Sequence, residues 1–294
     1  MMRVLVTGVS GFIGGHVARH LLDEGFDVTG FDLAAESGSG YPVIVGDLLD
    51  ETAVLDAARG RDVICHLGAV GDVYLAAERP ALAAAVNVTG SANVATAARI
   101  HDARVVYAST WEVYGEPEYQ PLDEAHPCNP DHPYSITKLA GERMLLAADR
   151  LFGVPAIALR LGTAYGSGLR PNSVFRLFID KARRGEPISI HGDGAQGRQF
   201  THASDIARAF AAAARSSAHG VALNTVASET ISIKQLAEMV VERLPTQLTF
   251  GEPRPGDVPP ALVSSQAIAD LFGWKAEVAF TDGLDQLIDT LLGQ

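Results

Sequence analysis

Short apolar runs and amphipathic stretches of helical spacing alternate from Arg3 to Gly162. RVLVTG, DVTGFD, PVIVGD, DVICHLGA, RVVYAST and PAIALRLG read as strands. FIGGHVARHLLDEG, DETAVLDAARG, PALAAAVNVTGSANVATAARIHD and YSITKLAGERMLLAADRLFG read as the helices between them. Parallel neighbours need a crossover, and a helix is the usual one. The strands are nearly continuous apolar runs, as expected of a sheet covered on both faces. The fold class is therefore α/β, a doubly wound parallel sheet.

Two stretches depart from this rhythm. Glu116–Pro133 holds five prolines and no period, so it reads as a loop; a loop beyond about 12–15 residues is more often functional than a plain connector. After Thr163 the chain becomes rich in Gly and Pro, with shorter elements, which implies a smaller C-terminal α/β lobe. SDIARAFAAAARS, VALNTVAS and SIKQLAEMVVERL read as helix, strand and helix. The expected division is 1–165 with 202–227 returning to it, and a second lobe from 166–201 and 228–294.

The formal charge is −12 and no Lys/Arg-rich run occurs, which disfavours a nucleic-acid partner. No apolar run approaches the roughly 18 residues of a membrane span, and no charged leader precedes the first strand. A cytoplasmic location is expected. Cys65 and Cys128 are too few for a disulfide framework, neither lies near a metal-ligand pattern, and Cys65 reads as a buried thiol.

Gly8, Gly11 and Gly14 stand between the first strand and its helix, in TGVSGFIG. Free amides at a helix N-terminus and the positive end of its dipole suit a phosphate. Glycines there permit the tight turn, the close approach of a ligand, and helix packing against the strand. Asp32 ends the second strand about 20 residues on, where a carboxylate bonds ribose hydroxyls and repels a 2′-phosphate. NAD is therefore the expected cofactor, and residues 1–165 the NAD-binding, Rossmann-type domain.

Tyr134 and Lys138 are four apart at the start of a helix that Asp131 and Pro133 introduce. A phenol is a poor base at neutral pH, and bringing its pKa near 7 needs about 4 kcal/mol. Lys138, the helix N-terminus and a nicotinamide's positive charge could supply it. Ser109 and Thr110 end the strand before this helix and offer a hydroxyl to bridge substrate and phenolate.

Together these motifs resemble the extended short-chain dehydrogenase/reductases, in the nucleotide-sugar epimerase/dehydratase branch. TGVSGFIG is similar to that branch's T-G-x-x-G-F-I-G loop, implying cofactor contacts from Ser10, Phe12 and Ile13 besides the glycines. GDLLD, with Asp47 and Leu48, resembles its adenine-contacting turn. HLGA, with Leu67, Gly68 and Ala69, resembles the stretch that lines the cofactor, and NVTGSANV from Asn87 its N-V-x-G helix. ASTWEVYG resembles the segment with Ala108 at the cofactor and Thr110 as catalytic hydroxyl. Tyr134 and Lys138 take the catalytic pair's places and also contact the cofactor. GEPISIHGDGAQGRQFTHASDIARAF and RPGDV imply that Arg198 and Arg254 meet a substrate's diphosphate, a task suited to guanidinium. The resemblance runs nearly end to end and implies a nucleotide-diphosphate sugar as substrate and a homodimer.

What it implies for the reaction begins with oxidation at C4: Tyr134 takes the hydroxyl proton and NAD the hydride. A 4-epimerase returns hydride to the other face of the 4-keto sugar. A 4,6-dehydratase or uronate decarboxylase would enlist Glu112, and a sugar dehydrogenase or ketoreductase would release its cofactor. Trp111 stands where glucose-type dehydratases carry an Asp, so the paired carboxylates of elimination look incomplete. Epimerisation is the leading expectation, with Trp111 and Thr163 shaping the substrate site. Thr163 replaces the branch's usual Asn, and Asp72 would disfavour a carboxylated sugar if it faced the pocket. His191 and His202 read as loop or packing residues. A non-enzymatic NAD-binding regulator is the rival of another class, and the intact Thr110, Tyr134 and Lys138 count against it.

Overall fold

The computed structural model describes residues 1–35, 38–252 and 261–293. The strands are β1 (Arg3–Thr7), β2 (Asp27–Asp32), β3 (Val43–Val45), β4 (Val63–His66), β5 (Arg104–Thr110), β6 (Ala156–Leu161), β7 (Thr163–Tyr165), β8 (Ile188–His191), β9 (Gly197–Arg198), β10 (Phe200–His202), β11 (Val221–Thr225), β12 (Ile231–Ser232) and β13 (Leu248–Gly251). The helices are α1 (Phe12–Asp23), α2 (Glu51–Ala58), α3 (Val73–Glu78), α4 (Pro80–Ala84), α5 (Gly90–His101), α6 (Pro133–Phe152), α7 (Val174–Arg183), α8 (Ala203–Arg215), α9 (Ile233–Arg243), α10 (Gln266–Phe272) and α11 (Phe280–Leu292).

Seven strands form one sheet in the order β11-β6-β5-β4-β1-β2-β3, with every neighbour pair parallel. The order reverses between β1 and β4, where such sheets open a crevice at their carboxyl ends. Alternation along each strand divides the core. Val4 and Val6 of β1 pack with Val17 and Leu21 of α1 and Phe210 of α8. Leu5 faces the other layer, with Val54 of α2, Val94 of α5 and Leu145 of α6. Cys65 is fully buried in the first of these cores.

The run 80–101 is helical as expected but is not one regular α-helix. Ala85–Thr89 form a π-helical turn between α4 and α5, and Asn87 lies within it, 1% exposed. A π-turn re-aims side chains by one residue, as recurs at functional sites. α3 was not anticipated; Asp72 starts it by accepting from the amides of Tyr74 and Leu75. The helix carrying Tyr134 begins with Pro133 at its first turn, but its cap is His132 rather than Asp131.

β11 joins the large sheet beside β6, the late strand foreseen in VALNTVAS. β7 pairs with β10, β8 with β13 and β9 with β12, away from that sheet. They surround a core of stacked and edge-on aromatic rings, Tyr165, Phe175, Phe200 and Phe280. Residues between Gly115 and His132 are pinned by the bridges Gly115–Asn129 and Leu122–Val263.

Candidate active site

The glycine loop closes the carboxyl end of β1. Gly8 has φ +71°, and a Cβ there would fall 2.6 Å from the Gly68 Cα. A Cβ on Gly14 would fall 2.0 Å from the Gly8 carbonyl oxygen. Gly8 thus makes the turn beneath β4's exit, and Gly14 lets α1 press onto the loop. Gly11 is the N-cap of α1, with no side chain bonding the first amides and no acid in the first turn. That leaves the dipole's positive end for an anion.

Asp32 accepts from the amide of Ser10 at 2.9 Å and from that of Leu33 at 2.7 Å. The Ser10 hydroxyl donates to the Ala34 carbonyl, so the loop and the end of β2 form one unit. The Phe12 ring lies edge-on to His16, which bonds the Ser167 carbonyl, while Ile13 packs into the core. Asp47 accepts from the Leu49 amide, and Leu48 is buried beside Gly68 and Gly90. The amides of Leu67 and Gly68 both donate to Thr7 Oγ1, with Ala69 next along the loop and Ala108 buried in β5. The glycine loop, the end of β2 and the loop after β4 are thus tied together at the carboxyl ends of their strands. The glycine cradle, which a Cβ would fill, and the carboxylate ending β2 fit a dinucleotide.

The Thr7 hydroxyl receives those two amide protons, so its own proton goes to His66 Nδ1, 2.7 Å away. His66 Nε2 then carries a hydrogen for Ser91 Oγ at 3.1 Å, and Ser91 donates to the Asn87 carbonyl. Burial holds His66 neutral, its pKa down to about 3, with Lys138 adding to the effect. The Asn87 side chain accepts from the Val70 amide and donates to Thr137 Oγ1. A continuous polar chain thus joins the glycine loop to α6.

Tyr134 and Lys138 occupy the first two turns of α6. Thr110 ends β5, and its hydroxyl lies close enough to the Tyr134 phenol to draw the phenol's pKa down. Burial pushes the phenol above its ordinary range and the Glu112 charge adds to this; Thr110 and Arg170 act the other way. Lys138 is 3% exposed, with Nζ 4.2 Å from the Tyr107 ring centroid. Burial lowers its pKa to about 7, against the pull of Glu142. Ser109, the other hydroxyl ending β5, donates to Glu142 Oε2 at 2.6 Å.

Glu112 follows Trp111 in a short 3-10 turn that Thr110 caps. Burial pushes its carboxyl up, while Arg198 and Arg170 oppose the shift. Trp111 and Arg198 line one cavity with Gln199 and Val226. Thr163 is half-buried at the start of β7, and Arg254 lies outside the described residues. His202 caps α8 through its ring, and His191 is exposed in β8. Asp72 is paired with Arg170 at 2.7 Å and bonded by Asn172, so its charge is compensated and does not stand against an anionic substrate.

Sequence reasoning missed Arg170 and the buried pair Glu142–Arg160, joined at 2.6 Å. Glu142 repeats the Tyr134–Lys138 spacing once more along the helix, a signal that was available. Nothing local marked Arg170. Among the described residues, no helix is long and apolar enough to cross a membrane.

A parallel sheet with this strand order and a glycine-cradled helix N-terminus at its switch point defines a nicotinamide-dinucleotide-dependent α/β enzyme. Residues 4–226 match the NAD-dependent epimerase/dehydratase family, and the chain belongs to it. It is 29% identical over 306 residues to a UDP-glucose 4-epimerase of Mycolicibacterium smegmatis, covering 98% of each chain. The crystal structure of a UDP-glucose 4-epimerase from Thermotoga maritima with UDP-glucose superposes with TM-score 0.93 and 25% identity over 99% of each chain. That of the Thermus thermophilus UDP-glucose 4-epimerase with NAD gives TM-score 0.90 and 30% identity, again over 99% of each.

Proposed function

We propose that this chain is a nucleotide-sugar 4-epimerase that keeps NAD bound through its cycle. The reading is carried by one observation: Tyr134 and the buried Lys138 stand one helical turn apart at the start of α6, with Thr110 acting on the phenol from the end of β5. Bound NAD supplies a reversible hydride acceptor for the sugar's C4. Thr110 orients the C4 hydroxyl, and Tyr134 takes its proton and later gives it back. Lys138 meets the nicotinamide ribose and favours the phenolate.

Gly8, Gly11 and Gly14, with Ser10, Phe12 and Ile13, hold the pyrophosphate; Asp32 holds the adenosine ribose; Asp47 and Leu48 meet the adenine. Leu67, Gly68, Ala69 and Ala108 line the remaining length. Trp111 and Thr163 of the first domain, with Arg198 of a lobe made of 166–201 and 228–294, form the substrate side; by the family resemblance Arg198 and Arg254 are the residues for the diphosphate. Elimination needs an acid and a base, and Trp111 stands beside Glu112 where glucose-type dehydratases carry an Asp. This favours epimerisation over dehydration. Uridine is the favoured base, since the epimerases above carry UDP in their names.

A cytoplasmic homodimer completes the reading; Ile100 on α5 and Met144, Leu151 and Phe152 on α6 are exposed apolar side chains that a second copy could cover. The test is incubation of the purified protein with UDP-, dTDP-, GDP- and CDP-sugars without added cofactor, followed by NMR. Interconversion of C4 epimers is expected. A 6-deoxy-4-keto product, or CO2 released from a uronate, would overturn the assignment.

A further inference from the structure

Tyr134, Lys138 and Glu142 recur every four residues and share one face of α6. Glu142 is fully buried and takes no part in the chemistry above. Its Oε1 accepts from Arg160 Nη2 at 2.6 Å, and its Oε2 from Arg160 Nε at 3.2 Å and the Ser109 hydroxyl at 2.6 Å. Both oxygens are therefore fixed from β5 and β6. Arg160 Nη1 donates to the Tyr114 hydroxyl, which donates to Asn224 Oδ1. Ser109 and Tyr114 bracket the segment 110–113, so the clamp grips Thr110 from either side.

We propose that Glu142 is a positioning residue for the epimerisation reaction, its clamped carboxylate holding Lys138 charged and Thr110 in register with Tyr134. This rests on the function proposed above. The surroundings of Lys138 single out Glu142. Beneath the ammonium is the Tyr107 ring of β5, and from β4 comes His66, held neutral by burial. On α6 itself Tyr134 lies one turn before it and Glu142 one turn after. Arg160 of β6 lies beyond Glu142 and neutralises that carboxylate from its far side. Glu142 is thus the carboxylate whose charge acts on the ammonium, and it opposes the effect of burial. A carboxylate free to rotate would serve poorly, and three donated hydrogen bonds prevent it.

The test is a comparison of wild type with Glu142→Gln and Ser109→Ala, by kinetics and by NMR of protein labelled with 13C at lysine Cε. The chain has four lysines, so the Lys138 signal is assigned by its loss in Lys138→Met. In Glu142→Gln the Lys138 titration midpoint is expected at least one pH unit lower. The alkaline limb of kcat should move with it, kcat at pH 8 falling about tenfold or more while KM holds. An unchanged or higher midpoint would overturn the proposal. Glu142→Gln strands the Arg160 charge and can fail to fold. Ser109→Ala then carries the test, with kcat expected to fall several-fold at unchanged KM and an unaltered kcat refuting it. The lysine titration needs no turnover, so an inactive wild type would sink the function while leaving the Lys138–Glu142 coupling measurable.

Discussion

The ammonium of Lys138 stands 4.2 Å above the centroid of the Tyr107 ring, both side chains withdrawn from solvent. A desolvated cation over an aromatic face is worth about 2 kcal/mol, or about 30-fold in the charged fraction. Tyr107→Phe keeps the face and loses a hydroxyl that bonds the Lys138 carbonyl at 3.3 Å, so kcat should stay within about threefold. Tyr107→Leu should lower kcat at neutral pH by about tenfold or more and shift its alkaline limb down, since a Lys138 pKa of about 7 would drop further. A pH–rate profile of the two variants checks this.

The cradle makes a contrast between neighbouring glycines. Gly14→Ala drives a methyl to 2.0 Å from the Gly8 oxygen. It should cost about 1–3 kcal/mol and release bound NAD. Gly15→Ala meets nothing nearer than 3.5 Å, inside the same helix. It should raise stability by about 0.5–1 kcal/mol and keep the cofactor. Thermal denaturation and the cofactor content of the purified variants distinguish them.

Glu112 separates epimerisation from elimination. A general acid or base contributes about 10²–10⁴-fold. If Glu112 only lines the site, Glu112→Gln should leave kcat for C4 inversion within about tenfold. A loss approaching a thousandfold would assign it chemistry and favour dehydration or decarboxylation. Product NMR on the variant reads the outcome directly.

His66 gives a pH dependence of stability with a definite sign. Its pKa falls from 6.5 to about 3 on burial. The unfolded chain binds the extra proton between those values, so stability rises with pH across this window. It is complete above pH 6.5 and lost as pH falls toward 3, a contribution on the order of 4–5 kcal/mol. Urea denaturation from pH 7 to pH 4 should show this slope, and His66→Gln should flatten it.

Much of the architecture was legible because its signals are local. Short, nearly continuous apolar runs and 3.6-period stretches report the backbone that carries them, so the order of strands and helices could be read in advance. The late strand Val221–Thr225 was visible for the same reason. The π-turn at Ala85–Thr89 was not, since its residues satisfy helical periodicity and only packing around Asn87 inserts the wider turn. Helix α3 was missed although Asp72 has the side chain of a cap.

Sequence alone determined the crossover pattern, the glycine cradle and the Tyr134–Lys138 pairing, because each is set by spacing within a few residues of chain. Tertiary structure alone decided that the Ser109 hydroxyl is taken by Glu142, that Arg170 compensates Asp72 across 98 positions, and that His66 stays neutral. Those outcomes depend on burial and on partners brought from distant segments. A side chain's charge and hydrogen bonds follow from what surrounds it in space, and no stretch of sequence contains its own surroundings.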